Sequence, residues 1–208
     1  MNKKNLVVCF LAALLAGCIS TSQPVFTKHY ALTPPTPPAA TVPQNTAAPI
    51  LRVADIAAPA WLDSTSMYYR LGYQGDAGIA AYARSDWIAP PPKLLQGLVE
   101  DALSGSGDWK AVIGTGAAAE SDLSLNLQLN DFEQLFSAAK QSAGVLDLTA
   151  TLIDDHASKV VAQRTFHIEK PAPSADAAGG VKALNEAAAE FAQQLKRWLG
   201  GAVARQSH

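Results

Sequence analysis

Cys18 is the residue whose neighbours best define a chemistry for it. It ends the run Leu15-Ala16-Gly17-Cys18, behind a basic start at Lys3-Lys4 and an apolar stretch from Leu6 to Leu15. A basic n-region, an apolar h-region and small residues before a cut make the layout of an export signal. Small residues let the backbone enter a peptidase cleft, and the sulfur is the atom that can be alkylated. The Leu-Ala-Gly-Cys ending is the bacterial lipobox. Residues 1–17 are therefore expected to leave as a signal peptide, and Cys18 to become an acylated N-terminus bearing lipid such as palmitate. The competing reading is a membrane-spanning or buried core helix. The apolar run is about half of the ~20 residues needed to cross a bilayer, and a helix core gives no reason for a small-small-Cys ending.

The rest of the chain offers little reactive chemistry. Its only other cysteine, Cys9, lies in the h-region and leaves with the signal, so the mature chain is expected to hold no disulfide. His29, His156, His167 and His208 share no ligand spacing, which argues against a metal site. Asp154-Asp155-His156 reads as a solvated hairpin turn between two strand patterns. Ser104-Gly105-Ser106-Gly107 is not a nucleophile elbow. Gly114-Thr115-Gly116 lacks the rest of a phosphate-binding fingerprint. Glu100 and Asp101 are adjacent on a helix pattern and point to different faces. The expectation is a non-enzymatic protein with no catalytic residue and no cofactor beyond the lipid on Cys18. The formal net charge of −2 comes without a basic stripe, which excludes a nucleic-acid partner. Trp61, Tyr68, Tyr69, Tyr73, Tyr82 and Trp87 cluster in the first half. Most are expected in the core, and some could line an apolar surface for a partner or a lipid.

Elements must hold this anchor and surface in place. Residues 18–49 read as a lipidated N-terminus and linker, with Pro34-Pro35-Thr36-Pro37-Pro38 favouring extended backbone and a short strand at 29–33. Such a linker could hold a domain tens of ångströms from the membrane. The domain is placed at 50–200, followed by a tail at 201–208. Leu51–Ile56, Met67–Tyr73 and Ile79–Arg84 read as strands, and Leu94, Leu95, Leu98 and Val99 as a helix ended by glycines. Leu123, Leu125, Leu127 and Leu129 alternate with polar residues, as do Leu146, Leu148, Ala150 and Leu152, which marks half-covered strands. Val181, Leu184, Ala188, Phe191, Leu195 and Trp198 form the stripe of a last helix that Gly200-Gly201 can end. The pattern predicts an α+β domain: a mainly antiparallel sheet with two helices on one face, in two layers.

With these residues in view, the chain resembles the ABC-type transport auxiliary lipoproteins, found with paraquat-inducible (Pqi) and other MCE-associated systems. The resemblance rests on the lipobox, Tyr30-Ala31-Leu32, the Val53–Leu62 segment with Pro59, and Trp87 before a Leu-rich helix. In the second half it rests on Leu125–Phe132, Ala150–Asp154, Val161–Phe166 and the closing Trp198-Leu199. It implies an outer-membrane lipoprotein facing the periplasm, beside an ABC transporter and an MCE-type periplasm-spanning protein that move lipids or other hydrophobic molecules. It leaves room for a homo-oligomer. Only Cys18 carries over as a functional residue; Tyr30, Pro59, Leu62 and Trp87 match as fold markers. Ile19, where an aspartate would retain many lipoproteins in the inner membrane, favours the outer one. The alternative is a structural or assembly lipoprotein of another envelope complex.

Overall fold

The computed structural model describes residues 26–33, 45–75 and 78–206. In chain order the elements are β1 (Lys28–Tyr30), β2 (Ile50–Val53), β3 (Ser66–Leu71), β4 (Ile79–Trp87), α1 (Pro91–Ser104), β5 (Ala111–Gly114), β6 (Leu123–Ala138), β7 (Gln141–Asp154), β8 (Lys159–Pro171) and α2 (Ala177–Gln206).

The fold is organised by β6. Leu123, Leu125, Leu127 and Leu129 are buried and alternate with more exposed polar residues. A bulge between Leu129 and Asp131 then reverses the parity, so that Phe132, Gln134 and Phe136 take over the buried face. Along one edge β6 pairs antiparallel with β7 from Leu123↔Asp154 to Ala138↔Gln141, and β7 pairs antiparallel with β8. Two short strands share its other edge, both parallel to it. β2 lies beside Leu123–Leu125, and β3 beside Gln134–Phe136. The sheet forks there: β5 continues beyond β2, and β4 then β1 continue beyond β3.

This corrects the expected mainly antiparallel two-layer sheet. The sheet is mixed, with parallel pairings β1–β4, β2–β5, β2–β6 and β3–β6 against antiparallel β3–β4, β6–β7 and β7–β8. Alternation reports which face is buried and is silent about the direction of the neighbour. The parallel β2–β5 pair needs a crossover, and α1 lies within it.

Both helices enter one core with the sheet. Pro91 and Pro92 stand in the first turn of α1, where their missing N–H groups cost nothing. Leu95, Leu98, Val99 and Leu103 face inward. The N-cap of α2 is Asp176, whose Oδ1 accepts the Gly179 N–H at 2.8 Å. Its buried face is rich in small residues, Ala183, Ala187, Ala188 and Ala192 beside Leu184, Phe191 and Leu195. Small residues bring the helix very near the strands. A Cβ placed on Gly144 of β7 would stand 2.7 Å from the Leu184 backbone nitrogen, so only glycine fits that crossing. The helix also runs through Gly200-Gly201, where a stop was expected, to Gln206. Leu199 and Ala202 are buried on either side, and that burial outweighs the ~1 kcal/mol a helical glycine costs.

The N-terminal part belongs to the sheet. β1 pairs parallel with the end of β4, Lys28↔Ser85 to Tyr30↔Trp87, and Leu32 is buried. Asn185 of α2 accepts the Thr33 N–H at 2.6 Å. The proline run after Thr33 therefore lies between two strands of the domain, β1 and β2, and not between the domain and Cys18.

Candidate functional site

Cys18 lies outside the described residues. What the structure supplies is the point where the chain leaving Cys18 joins the domain, at Lys28 beside β4. The aromatic cluster divides on the same side of the sheet. Trp87 is buried and packs on Phe132 at 5.4 Å between ring centroids. Trp61 meets Tyr68 edge-on at 5.2 Å, and Tyr69 meets Tyr82 at 4.8 Å. Tyr73, in the turn between β3 and β4, is left 45 % exposed. Beneath Tyr82 sits a buried amide. The Tyr82 hydroxyl donates to Gln134 Oε1 and Gln134 Nε2 donates to Ser142 Oγ, both at 2.8 Å. Burial first, then Tyr69 and Asp176, push the Tyr82 hydroxyl up to about 12. It stays protonated and serves as a fixed donor.

The opposite end of the sheet gathers a second set of polar side chains. Arg52 of β2 donates to Ser121 Oγ at 3.2 Å and to the carbonyls of Gly114, Ala117 and Ala119. One guanidinium thus clamps the whole loop between β5 and β6. Asp155 accepts from the hydroxyls of Ser121 at 2.6 Å and Ser124 at 2.9 Å. Asp122 accepts the Ile50 N–H at 2.7 Å and pairs with His156 Nε2 at 3.0 Å. Asp122 and His156 border an open depression of about 540 Å³ that Thr46 and Lys110 also line, and Arg52, Ser121, Ser124 and Asp155 border a second of about 520 Å³ that shares His156. The serines bond Asp155, and His156 pairs with Asp122 instead of with a serine. Of the triplet Asp154-Asp155-His156, Asp154 ends β7 and the other two lie in the β7–β8 turn. Among the described residues no three His, Cys, Asp or Glu side chains come together as metal ligands.

The Asp122–His156 pair makes a pH prediction. Asp122 is held below its ordinary value, first by the Ile50 N–H and then by His156. His156 is raised above its ordinary 6.5 by the hydrogen bond to Asp122. A raised histidine contributes below 6.5, and its contribution is lost as pH rises through the folded value. A lowered aspartate contributes above 3.8 and loses its part as pH falls through the folded value. The pair is therefore at full strength between those limits. Ring-proton NMR titration should place His156 above 6.5, and Asp122→Asn should bring it back toward that value. An unshifted wild-type His156 would show that the contact is not made in solution.

Two charged groups lie where the strand alternation gave no warning. Glu133 is 3 % exposed and receives Arg70 Nε at 3.0 Å, while Asp131 stands 3.6 Å from Arg70 Nη2. Burial raises Glu133 more than Arg70 lowers it. The break in alternation at Asp131-Phe132-Glu133 is their only trace in the sequence.

The sequence of the chain matches one family description over most of its length: ABC-type transport auxiliary lipoprotein component, residues 30–196. The chain belongs to that family. The auxiliary lipoprotein also resembles solved structures. One is protein XCC0632 from Xanthomonas campestris, of the DUF330 family, with 26 % identity and a TM-score of 0.73. That match covers 86 % of this chain and 99 % of the other. A second, an uncharacterized protein, has 18 % identity and a TM-score of 0.64, covering 84 % of this chain and 99 % of its own, and shows the fold alone. No curated protein matches the sequence. Within this auxiliary lipoprotein the fold markers have clear tasks. Tyr30 ends β1, Pro59 precedes the 3-10 turn Ala60–Leu62, Leu62 is fully buried and Trp87 closes β4. Among the described residues no helix is long and apolar enough to cross a membrane.

Proposed function

We propose that this auxiliary lipoprotein is acylated at Cys18, stands on the periplasmic face of the outer membrane, and acts by binding and not by catalysis. Its partners are an ABC transporter and the MCE-type protein that spans the periplasm. It works there as a single chain or a homo-oligomer, in the traffic of lipids or other hydrophobic molecules. The observation that carries this reading is the family match across residues 30–196, which begins soon after the lipobox cysteine. Ile19 after Cys18 supports the outer membrane. The polar groups at the Arg52 end are engaged with backbone and with one another, which suits a stiff docking surface better than acid–base work.

Crosslinking in intact cells tests the reading. The MCE protein should be captured, and deletion of this chain should sensitise cells to membrane-active compounds as loss of the MCE protein does. Capture of unrelated envelope proteins alone, with the MCE protein expressed, would overturn it in favour of the assembly lipoprotein.

A further inference from the structure

β8 closes one side of the sheet. It pairs with β7 from Lys159 to Pro171, and among the described residues no strand pairs with its other edge. At 13 residues it is longer than the strands that end the sheet elsewhere, β5 with 4 and β1 with 3. An unpaired strand edge presents a row of backbone N–H and C=O groups. α2 runs over the inner face of β8 in the opposite direction. Lys170 pairs with Glu190, and Trp198, further along the helix, meets Phe166 edge-on at 6.0 Å between ring centroids. Arg164 lays its guanidinium over the same Phe166 ring, 4.7 Å from the centroid. From Trp198 to Arg205 the helix advances about 10 Å, the length of about three strand residues. Arg205 therefore stands over the stretch of β8 before Phe166, where Arg164 lies. A Cβ placed on Gly201 would stand 3.5 Å from Arg205 Nη1, so that side chain turns back along the flank of α2 that Trp198 shares.

Arg164 and Arg205 are exposed, and neither pairs with a carboxylate among the described residues. The stretches they come from, residues 159–168 and 191–206, hold no aspartate or glutamate. Glu190 is engaged by Lys170, and Glu169 lies on the opposite face of the strand from Phe166. Trp198 is half-buried on the same flank. A guanidinium is a planar fork that takes a carboxylate through two hydrogen bonds. Two such forks and a tryptophan along a free strand edge fit an extended peptide that carries carboxylates. We propose that β8 takes an extended acidic segment of a partner protein as an added strand, with its carboxylates on Arg164 and Arg205 and an apolar side chain on Trp198. Backbone pairing supplies the affinity of such an added strand, and alternate side chains supply its specificity. A phospholipid headgroup would meet the guanidiniums, yet it cannot match a row of alternating backbone donors and acceptors. A second copy would bring its own Arg164 and Arg205 to the same edge, and like charges select against it. β8 starts from the turn that holds Asp155 and His156, so this edge continues the stiff polar end of the sheet. On the reading above, the partner that supplies the segment is the MCE-type protein, and the docking edge rests on that reading.

The test uses the full chain in intact cells that express the MCE protein. The photo-crosslinking residue benzoylphenylalanine is placed at Gln163 or Thr165 of β8, or at Ala80 or Ala83 of β4. All four positions are exposed, and β3, β6 and β7 separate the two strands. The β8 positions should capture the MCE protein on irradiation, and the β4 positions should not. Arg164→Glu with Arg205→Glu should cut that capture about tenfold or more. Arg164→Gln with Arg205→Gln should lower it less, in the same direction. Circular dichroism melting confirms that each variant is folded, and the glutamine pair decides alone where the glutamate pair melts early. In the purified complex, amide hydrogen exchange along β8 should be slower than in the free chain. Unchanged exchange would overturn strand addition. Capture from β4 alone, equal capture from all four positions, or undiminished capture by the glutamate pair would overturn the β8 edge and leave the MCE partnership standing. Phospholipid as the sole product at Gln163 and Thr165 would overturn the peptide occupant. Capture from none of the four, while chemical crosslinking of the whole chain still yields the MCE protein, would overturn the edge. Failure of both kinds of crosslinking would overturn the partnership, and the edge with it.

Discussion

Leu127→Asp should abolish the folded domain, while Gln128→Asp, the next residue on the same strand, should leave it standing. Leu127 is 3 % exposed and lies opposite Ala150 at the centre of the β6–β7 pairing. Its side chain belongs to the core that both helices share. Removing a buried leucine costs about 2–5 kcal/mol by itself. An unpaired carboxylate in the same place adds several kcal/mol, or is neutralised at a similar cost. The sum approaches the ~5–15 kcal/mol that holds a domain together. Gln128 points to the open face, is exposed, and its Nε2 donates to the neighbouring Leu129 carbonyl at 3.3 Å. Urea denaturation followed by circular dichroism compares the two. A Leu127→Asp variant that unfolds at the wild-type midpoint would mean that Leu127 does not face the core.

That pair of substitutions also marks how far the sequence could be read. Leu123 to Leu129 were legible as a strand because one face meets the core and the other meets polar solvent. The continuation to Ala138 was not, because the bulge at Asn130 shifts the buried set from odd to even numbers. A fixed period of two sees that shift as the end of the strand. Direction was hidden for another reason. β2 and β3 each lay only a few residues along β6, and nothing in three residues of alternation tells a parallel neighbour from an antiparallel one. Gly200-Gly201 was a sound stop signal locally, and it lost to Leu199 and Ala202, whose burial depends on a sheet far away in sequence. Cys18 stood out because a lipobox is read as linear chain by a peptidase and needs no fold.

Cys18→Ser should remove the protein's lipid entirely and leave the precursor uncleaved. The sulfur is the atom that takes the alkyl group, and a serine oxygen in the same place does not substitute for a thiol in that step. Without modification the signal is kept, so the chain should migrate as a heavier species that incorporates no labelled palmitate. The wild type should migrate faster and carry the label. The retained apolar run from Leu6 to Leu15 is about half of a bilayer span, so it holds the precursor far less securely than acyl chains hold the mature form. One myristoyl chain gives only marginal, reversible attachment, and stable anchoring takes a second signal. Several acyl chains on Cys18 satisfy that requirement. The folded domain itself should be unchanged, since the first sheet contact among the described residues is at Lys28, ten residues beyond Cys18. The melting temperature of the Cys18→Ser chain should therefore match the wild type while its membrane fraction falls under alkaline extraction. A wild-type mature protein that carries no lipid on its N-terminal residue would refute the assignment of Cys18 and leave the fold untouched.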